Sequence, residues 1–332
     1  VETAVNIRAG FGADGFFVSE MLGVMARAAA GQYRLGKITV NARALKTSLP
    51  PAGPFAGFGT AEAAFALERH VSKIADTLRA EGAEWRAHHY NEKKIPADEA
   101  ENLTAELAAR SDYWRKRAAY ELLRREREES GVKISPMRGI GLAVFAHTEG
   151  RQRYHIDDSG AITLAPSKTD AESRRRCPLA AAVIELEIDG IDFSANIRGI
   201  WMSVRAGKLG DEGAARRGLL QNIVCALGWT HSERLRYEEG RIEESRYFDY
   251  GLPRPSTLPA VNINLSAYDG DCEEDGLEAV NELPYCVIPA AYLQALAQAC
   301  GHHFEAIPVN SFDIWQAVTG GQSHGEKGEP KE

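Results

Sequence analysis

LAAAVIELEIDGIDFSANIRGIWMSVRAG, residues 179–207, decides the fold class. Its apolar and β-branched segments read as strands. They close a strand-rich run that begins near residue 137 with GIGLAVFAHT (139–148), RQRYHID (151–157) and AITLAP (161–166). A polar loop, SKTDAESRRRC (167–177), interrupts that run, and its triple arginine 174–176 reads as loop surface. Upstream, VNIRAGFG and KITVNARALKTSL have strand character, and TAEAAFALERHVSKIADTLRA (60–80) is apolar at helical spacing through Ala64, Phe65, Leu67, Val71, Ile74 and Leu78. Thr60 stands where an N-cap belongs and Glu62 falls in the first turn. A polar helix is expected over about 98–130, with a charged solvated face. Downstream, a helix is expected over EGAARRGLLQNIVCALGW, then short strands around RYFDYGLP and AVNINLSAY. A last helix, PAAYLQALAQACG, is expected to start near Pro289 and end before Gly301. Strands and helices mixed without regular βαβ spacing predict an α+β fold with mixed sheets and flanking helices.

The 332 residues suffice for one large domain or two ordinary ones. The expected division is an α/β segment over 1–135, an α+β domain over 136–320, and a disordered, Gly-rich polar tail over 321–332. A net charge of −8 argues against nucleic acid or an anionic membrane as partner. No apolar run approaches the roughly 20 residues of a membrane span, and no secretory signal opens the chain, so a cytoplasmic location is expected. The chain lacks a starting Met and opens within apparent strand sequence, as a processed or excised piece would.

Five cysteines (177, 225, 272, 286, 300) show no C-x-x-C spacing, so reduced thiols are expected, with no metal ligands in this chain. The pairs His88–His89 and His302–His303 are adjacent; in extended chain they would point to opposite faces and make no bidentate site. No GxGxxG after a strand, P-loop, G-x-S-x-G or H-E-x-x-H occurs, which leaves nucleotide-binding and hydrolase readings unsupported. The glycines of GFGADGF (10–16) read as a turn.

Five segments, in order, resemble the molybdopterin-binding subunit of the xanthine dehydrogenase and aldehyde oxidase family of molybdenum hydroxylases, in its C-terminal portion. They are YRLGKITVNARALKTSLPPAGPFAGFG (33–59) with the helix that follows, RGIGLAVFAHT (138–148), AAAVIELEIDG (180–190), GRIEESRYFDYGLPRPSTLPAVNINL (240–265), and AVNELPYCVIPAAYLQALAQACGHHFEAIPVNSFDIWQAV (279–318). The resemblance implies an oxidoreductase component that hydroxylates an electron-poor carbon of an aldehyde or N-heterocycle with water. It implies a molybdenum–molybdopterin cofactor, and a heteromeric complex with molybdopterin, iron–sulfur and flavin subunits. It places the catalytic base at Glu282, in a loop before the last helix, and a cofactor-approaching turn at Gly57, Phe58 and Gly59, with Phe58 lining the substrate pocket. Two positions depart from the family pattern: Ala56 stands where the resemblance expects an arginine, and Asn281 where it expects glycine. The stretch between the second and third segments is also short. A split enzyme whose partner brings the missing loops, and an inactive paralogue acting as an assembly module, both follow from this pattern.

Overall fold

The computed structural model of the chain describes residues 2–11, 18–46, 56–92, 95, 97–131, 136–147, 154–156, 162–164, 178–254, 256, 258–271 and 276–320. The loop over 167–177, the glycine turn at 12–16 and the tail over 321–332 lie outside these residues, as does most of the segment between the second and third matched stretches.

Strand β1 (Glu2–Phe11) crosses through helix α1 (Val18–Ala30) to β2 (Lys37–Lys46), which pairs parallel with β1 from Glu2↔Lys37 to Phe11↔Lys46. Helices α2 (Thr60–Thr77), α3 (Gly82–His89), α4 (Ala97–Ser111) and α5 (Tyr113–Ser130) follow. The single helix expected over 98–130 is therefore two, broken at Asp112, whose φ of 55° no regular helix accommodates. The helix-favouring composition on both sides hides that break from a periodicity reading.

Next come β3 (Met137–Ala146), the short pair β4 (Tyr154–Ile156) and β5 (Ile162–Leu164), β6 (Leu179–Ile188) and β7 (Ala195–Lys208). Helix α6 (Glu212–Leu227) runs into a π-turn at Gly228–Ser232. The region expected as strands around RYFDYGLP holds a two-residue pair, β8 (Tyr237–Glu238) and β9 (Arg241–Ile242), and then the four-residue helix α7 (Tyr247–Tyr250). Strand β10 (Ala260–Asp271), α8 (Gly276–Cys300) and α9 (Ser311–Thr319) complete the order.

The main sheet runs β10–β7–β6–β3, with β10 parallel to β7 and the other two pairings antiparallel. This is the mixed α+β architecture that the strand spacing predicts. Both faces are covered, and the period-2 alternation of each strand shows it. On β3, Met137, Ala143 and Phe145 join one core, and Ile140, Leu142, Val144 and Ala146 the other. The first core packs α6 and α8 on the sheet; the second packs α3, α4 and α5, while α2 contributes to both. Helix α8 lies so close over β3 that a methyl group on Gly139 or Gly141 would collide with the Ala295 or Ala291 carbonyl.

β3 is an edge strand, and its outward amides are satisfied by side chains rather than by another strand. Ile140 N donates to Gln298 Oε1 (2.9 Å), Leu142 N to Gln294 Oε1 (2.6 Å) and Val144 N to Glu68 Oε2 (3.2 Å). That row accounts for three of the buried polar residues, since a buried unpaired amide would cost about as much as a lost hydrogen bond.

Helix α8 begins thirteen residues before Pro289 and contains both Pro284 and Pro289. Each proline removes one i→i−4 hydrogen bond. The segment is nonetheless buried almost all round, with Val280, Leu283, Cys286, Val287, Ile288, Ala290 and Ala291 each at most 3% exposed, and that burial overrides local propensity. The far end is as expected: Gly301 stands at φ +71° and its amide bonds back to the Ala297 carbonyl at 2.9 Å.

Candidate active site

The turn Ala56–Gly59 sets the entry to α2. Gly57, Phe58 and Gly59 stand at φ +76°, +51° and +96°, three successive residues in a region that side chains disfavour. The cap of α2 is therefore Gly59, in the left-handed conformation and without a side-chain bond, and Thr60 is the first helical residue rather than the cap. Thr60 N donates to Gly57 O at 2.8 Å and Ala63 N to Gly59 O at 3.1 Å, so the turn is tied into the helix. A phenylalanine held at positive φ costs about 1–3 kcal/mol and persists only where its surroundings over-determine it. Phe58 is half-buried.

Glu282 lies on the second turn of α8, not in a loop as its sequence context suggests, and it faces this turn. A methyl group on Gly57 would lie 3.3 Å from Glu282 Oε2, so the space between turn and carboxylate exists because position 57 carries no side chain. The residues singled out by resemblance, Gly57, Phe58, Gly59 and Glu282, thus share one locality, although 223 positions separate the last two.

Three groups that sequence reasoning passed over complete it. His147, just beyond β3, brings Nε2 to 3.5 Å from Glu282 Oε2; the two side chains are 17% and 27% exposed. Its ring meets Phe145 edge-on at 5.8 Å. Cys286, one helical turn after Glu282, is fully buried. Burial raises its thiol pKa well above the ordinary value, and the nearby charges of Glu282 and Glu62 raise it further. Glu62, two residues into α2, buries its Oε2 without a hydrogen-bond partner, and that burial raises its pKa. The signals were faint: Glu62 reads as an ordinary first-turn acid, His147 as a strand-end histidine, and the Glu282–Cys286 spacing gains meaning only on a helix.

The two departures from the family pattern resolve differently. Asn281 does not enter the site. Its Oδ1 lies against α6, where a methyl group on Gly218 would stand 2.6 Å from it, so Gly218 makes room for the extra side chain. Ala56 packs against the apolar core and brings no charge to the turn.

The histidine pairs play structural parts. His88 and His89 end helix α3 rather than lying in extended chain, each with Nδ1 at 2.7 Å from the carbonyl four residues back, and His89 stacks on Trp85 at 4.0 Å. His303 Nε2 pairs with Asp76 at 3.1 Å. Cys225, Cys286 and Cys300 are unbridged thiols. Among the described residues, no group of three or more His, Cys, Asp or Glu side chains could hold a metal ion, and no described helix is long and apolar enough to cross a membrane.

Residues 3–90 match a family model described as a molybdopterin cofactor-binding domain. The chain is 22% identical over 253 residues to isoquinoline 1-oxidoreductase subunit beta of Brevundimonas diminuta, a match covering 76% of this chain and 26% of that protein. Among solved structures, CO dehydrogenase from Oligotropha carboxidovorans superposes with a TM-score of 0.76 at 12% identity, covering 96% of this chain and 59% of that one. The two chains share one fold. Quinoline 2-oxidoreductase from Pseudomonas putida 86 is similar at a TM-score of 0.73 and 13% identity, over 96% of this chain and 60% of that one. The chain therefore spans about a quarter of the length of the curated relative and three-fifths of these solved chains.

The matched model is named for molybdopterin, and the turn can be tested against such a group. Gly57 and Gly59, both at positive φ, carry no Cβ, and the Glu282 carboxylate with the His147 imidazole beside it faces the turn at Gly57. This donor set fits the reacting edge of a bulky cofactor beside a proton acceptor. The anionic end of a pterin needs cations, and Ala56 supplies none here.

Proposed function

We propose that the chain is one component of a molybdenum-dependent hydroxylase and contributes the proton-accepting wall of its active site. When bound, a molybdenum–molybdopterin group supplies the redox chemistry by which water oxygen replaces hydrogen on an electron-poor carbon, in the class of aldehydes and N-heterocycles. This chain's part is to place Glu282 as general base, through an oxygen that faces the Gly57 turn. Partial exposure and a neighbouring imidazole keep that carboxylate available for proton transfer. Gly57 and Gly59 let the backbone approach the cofactor, and Phe58 offers an apolar wall to a flat substrate. The observation that carries the reading is the meeting of Glu282 with the left-handed turn, two features far apart in sequence.

The rest of the cofactor's shell comes from polypeptide outside this chain, as its length against its relatives supports. The expected partners are the remaining molybdopterin-binding portion and the iron–sulfur and flavin subunits. The segment 235–252 supports such an assembly, with Tyr247 84% and Phe248 73% exposed beside Leu235, Tyr237, Ile242 and Leu252, an apolar surface unusual for a protein that works alone. A cytoplasmic location accords with reduced thiols at the described cysteines.

A second reading, a non-catalytic assembly module of the same fold, is favoured by Ala56 alone, which buries a methyl group where the resemblance expects a guanidinium. Expressing the full chain with its native complex and measuring molybdenum separates the two. Near-stoichiometric metal that co-purifies with this chain is the expected result; a stable complex without molybdenum would support the assembly module.

A further inference from the structure

A general base that takes up a proton in every turnover must lose it before the next, and Glu282 has only a quarter of its side chain open to solvent. On one side stands the turn at Gly57, where a substrate and cofactor would exclude water. Deeper on α8 lies Cys286, fully buried and no route outward. Glu62, from α2, buries its Oε2, and that burial raises its pKa, so it offers no exposed oxygen from which a proton could pass to water. Among the described residues the other neighbour is His147, just past the end of β3, whose Nε2 is buried at 3.5 Å from Glu282 while 17% of its side chain is exposed.

We infer that His147 is the outlet for Glu282, receiving at Nε2 the proton that the carboxylate has taken up and releasing one to water. The inference rests on Glu282 being the base. The transfer balances without any further reactant. The O–H bond of the Glu282 carboxylic acid breaks as an N–H bond forms on the neutral imidazole, leaving carboxylate and imidazolium, and the imidazolium then gives a proton to bulk water. An imidazole suits this role because its ordinary pKa of about 6.5 lies above a carboxyl's and close to neutrality, so it accepts readily and releases readily. The present distance is longer than a hydrogen bond, as unliganded acid–base pairs often are. The ring has a fixed approach: the His147 amide donates to the Pro178 carbonyl at 2.9 Å, and Phe145 meets the imidazole edge-on. His147 is thus a positioning and relay residue acting through Glu282.

Two measurements test this. In the full chain labelled at histidine, the ring resonances of His147 are expected to move in Glu282→Gln while those of His88 and His89 stay, because Nε2 loses the carboxylate that faces it. Unchanged His147 resonances would overturn the inference, and this readout needs no cofactor. In the assembled enzyme, His147→Gln is expected to lower kcat by about 10–100-fold with KM little changed, and added imidazole is expected to restore most of that loss. A loss that imidazole and other small buffers leave untouched, or no loss, would mean that His147 carries no proton. Glu282→Gln in the same enzyme keeps the two ideas apart. If it retains turnover, the functional reading fails. If it abolishes turnover while His147→Gln is fully active, only the relay fails.

Discussion

Two glutamates lie near the C-terminal end of β3, and their surroundings differ sharply. Glu68, on α2, is wholly buried and accepts from Tyr33 OH (2.5 Å), Arg86 Nε (2.9 Å), Val144 N (3.2 Å) and Gln32 Nε2 (3.4 Å). Arg86 is as deeply buried. Desolvation works against its charge, but the Glu68 carboxylate, Tyr33 and Tyr90 together outweigh it, so its pKa stands above the ordinary value. Glu282, on α8, is partly exposed and faces an imidazole at 3.5 Å and a glycine, Gly57. A carboxylate whose lone pairs are all occupied is a structural lock. One that is partly exposed, beside a glycine turn, can take up a proton. On the proposed function, the same residue type serves stability in one place and chemistry in the other.

The contrast breaks most sharply at Glu68. Glu68→Ala leaves Arg86 buried without its partner and should cost about 3–5 kcal/mol of stability, read as a lowered denaturation midpoint. Tyr33→Phe removes a single bond to that carboxylate and should cost about 1.5–3 kcal/mol in the same assay. A loss near zero in both would mean that the buried cluster does not hold α2, α3 and β3 together.

A smaller effect sharpens the other side. Because burial raises the folded-state pKa of Glu62, the fold binds its proton more tightly than the unfolded chain does. That contribution to stability is fully present below the ordinary carboxylate range and is lost as pH rises through the raised value. Glu62→Gln, which cannot ionise, should match the parent in acid and exceed it in stability near neutral pH. Parallel stability–pH curves for the two proteins would contradict this assignment.

Much of the fold was legible in the sequence, but nothing in it singled out Glu68, and the failures are instructive. The strands β3, β6, β7 and β10 announce themselves through apolar and β-branched runs, and α2 through its helical period. The end of α8 is marked by Gly301. Its beginning was misplaced because Pro289 signals a helix start locally, whereas burial on nearly every side decides the matter in the fold. Glu282 and the 57–59 turn were found by resemblance, although its loop setting was wrong. Glu62, His147 and Cys286 were missed because each is ordinary alone, and only the packing of α2 and α8 around the end of β3 gives them a shared environment. Asn281 looked like an obstruction until Gly218, on a different helix, accounted for it.

The most direct test of the account is Glu282→Gln in the assembled enzyme, with turnover, molybdenum content and unfolding midpoint measured on the same preparation. The account predicts a fall in kcat of about 10²–10⁴-fold, with metal content unchanged and stability within about 0.5 kcal/mol of the parent. Retained turnover with the glutamine in place would contradict it.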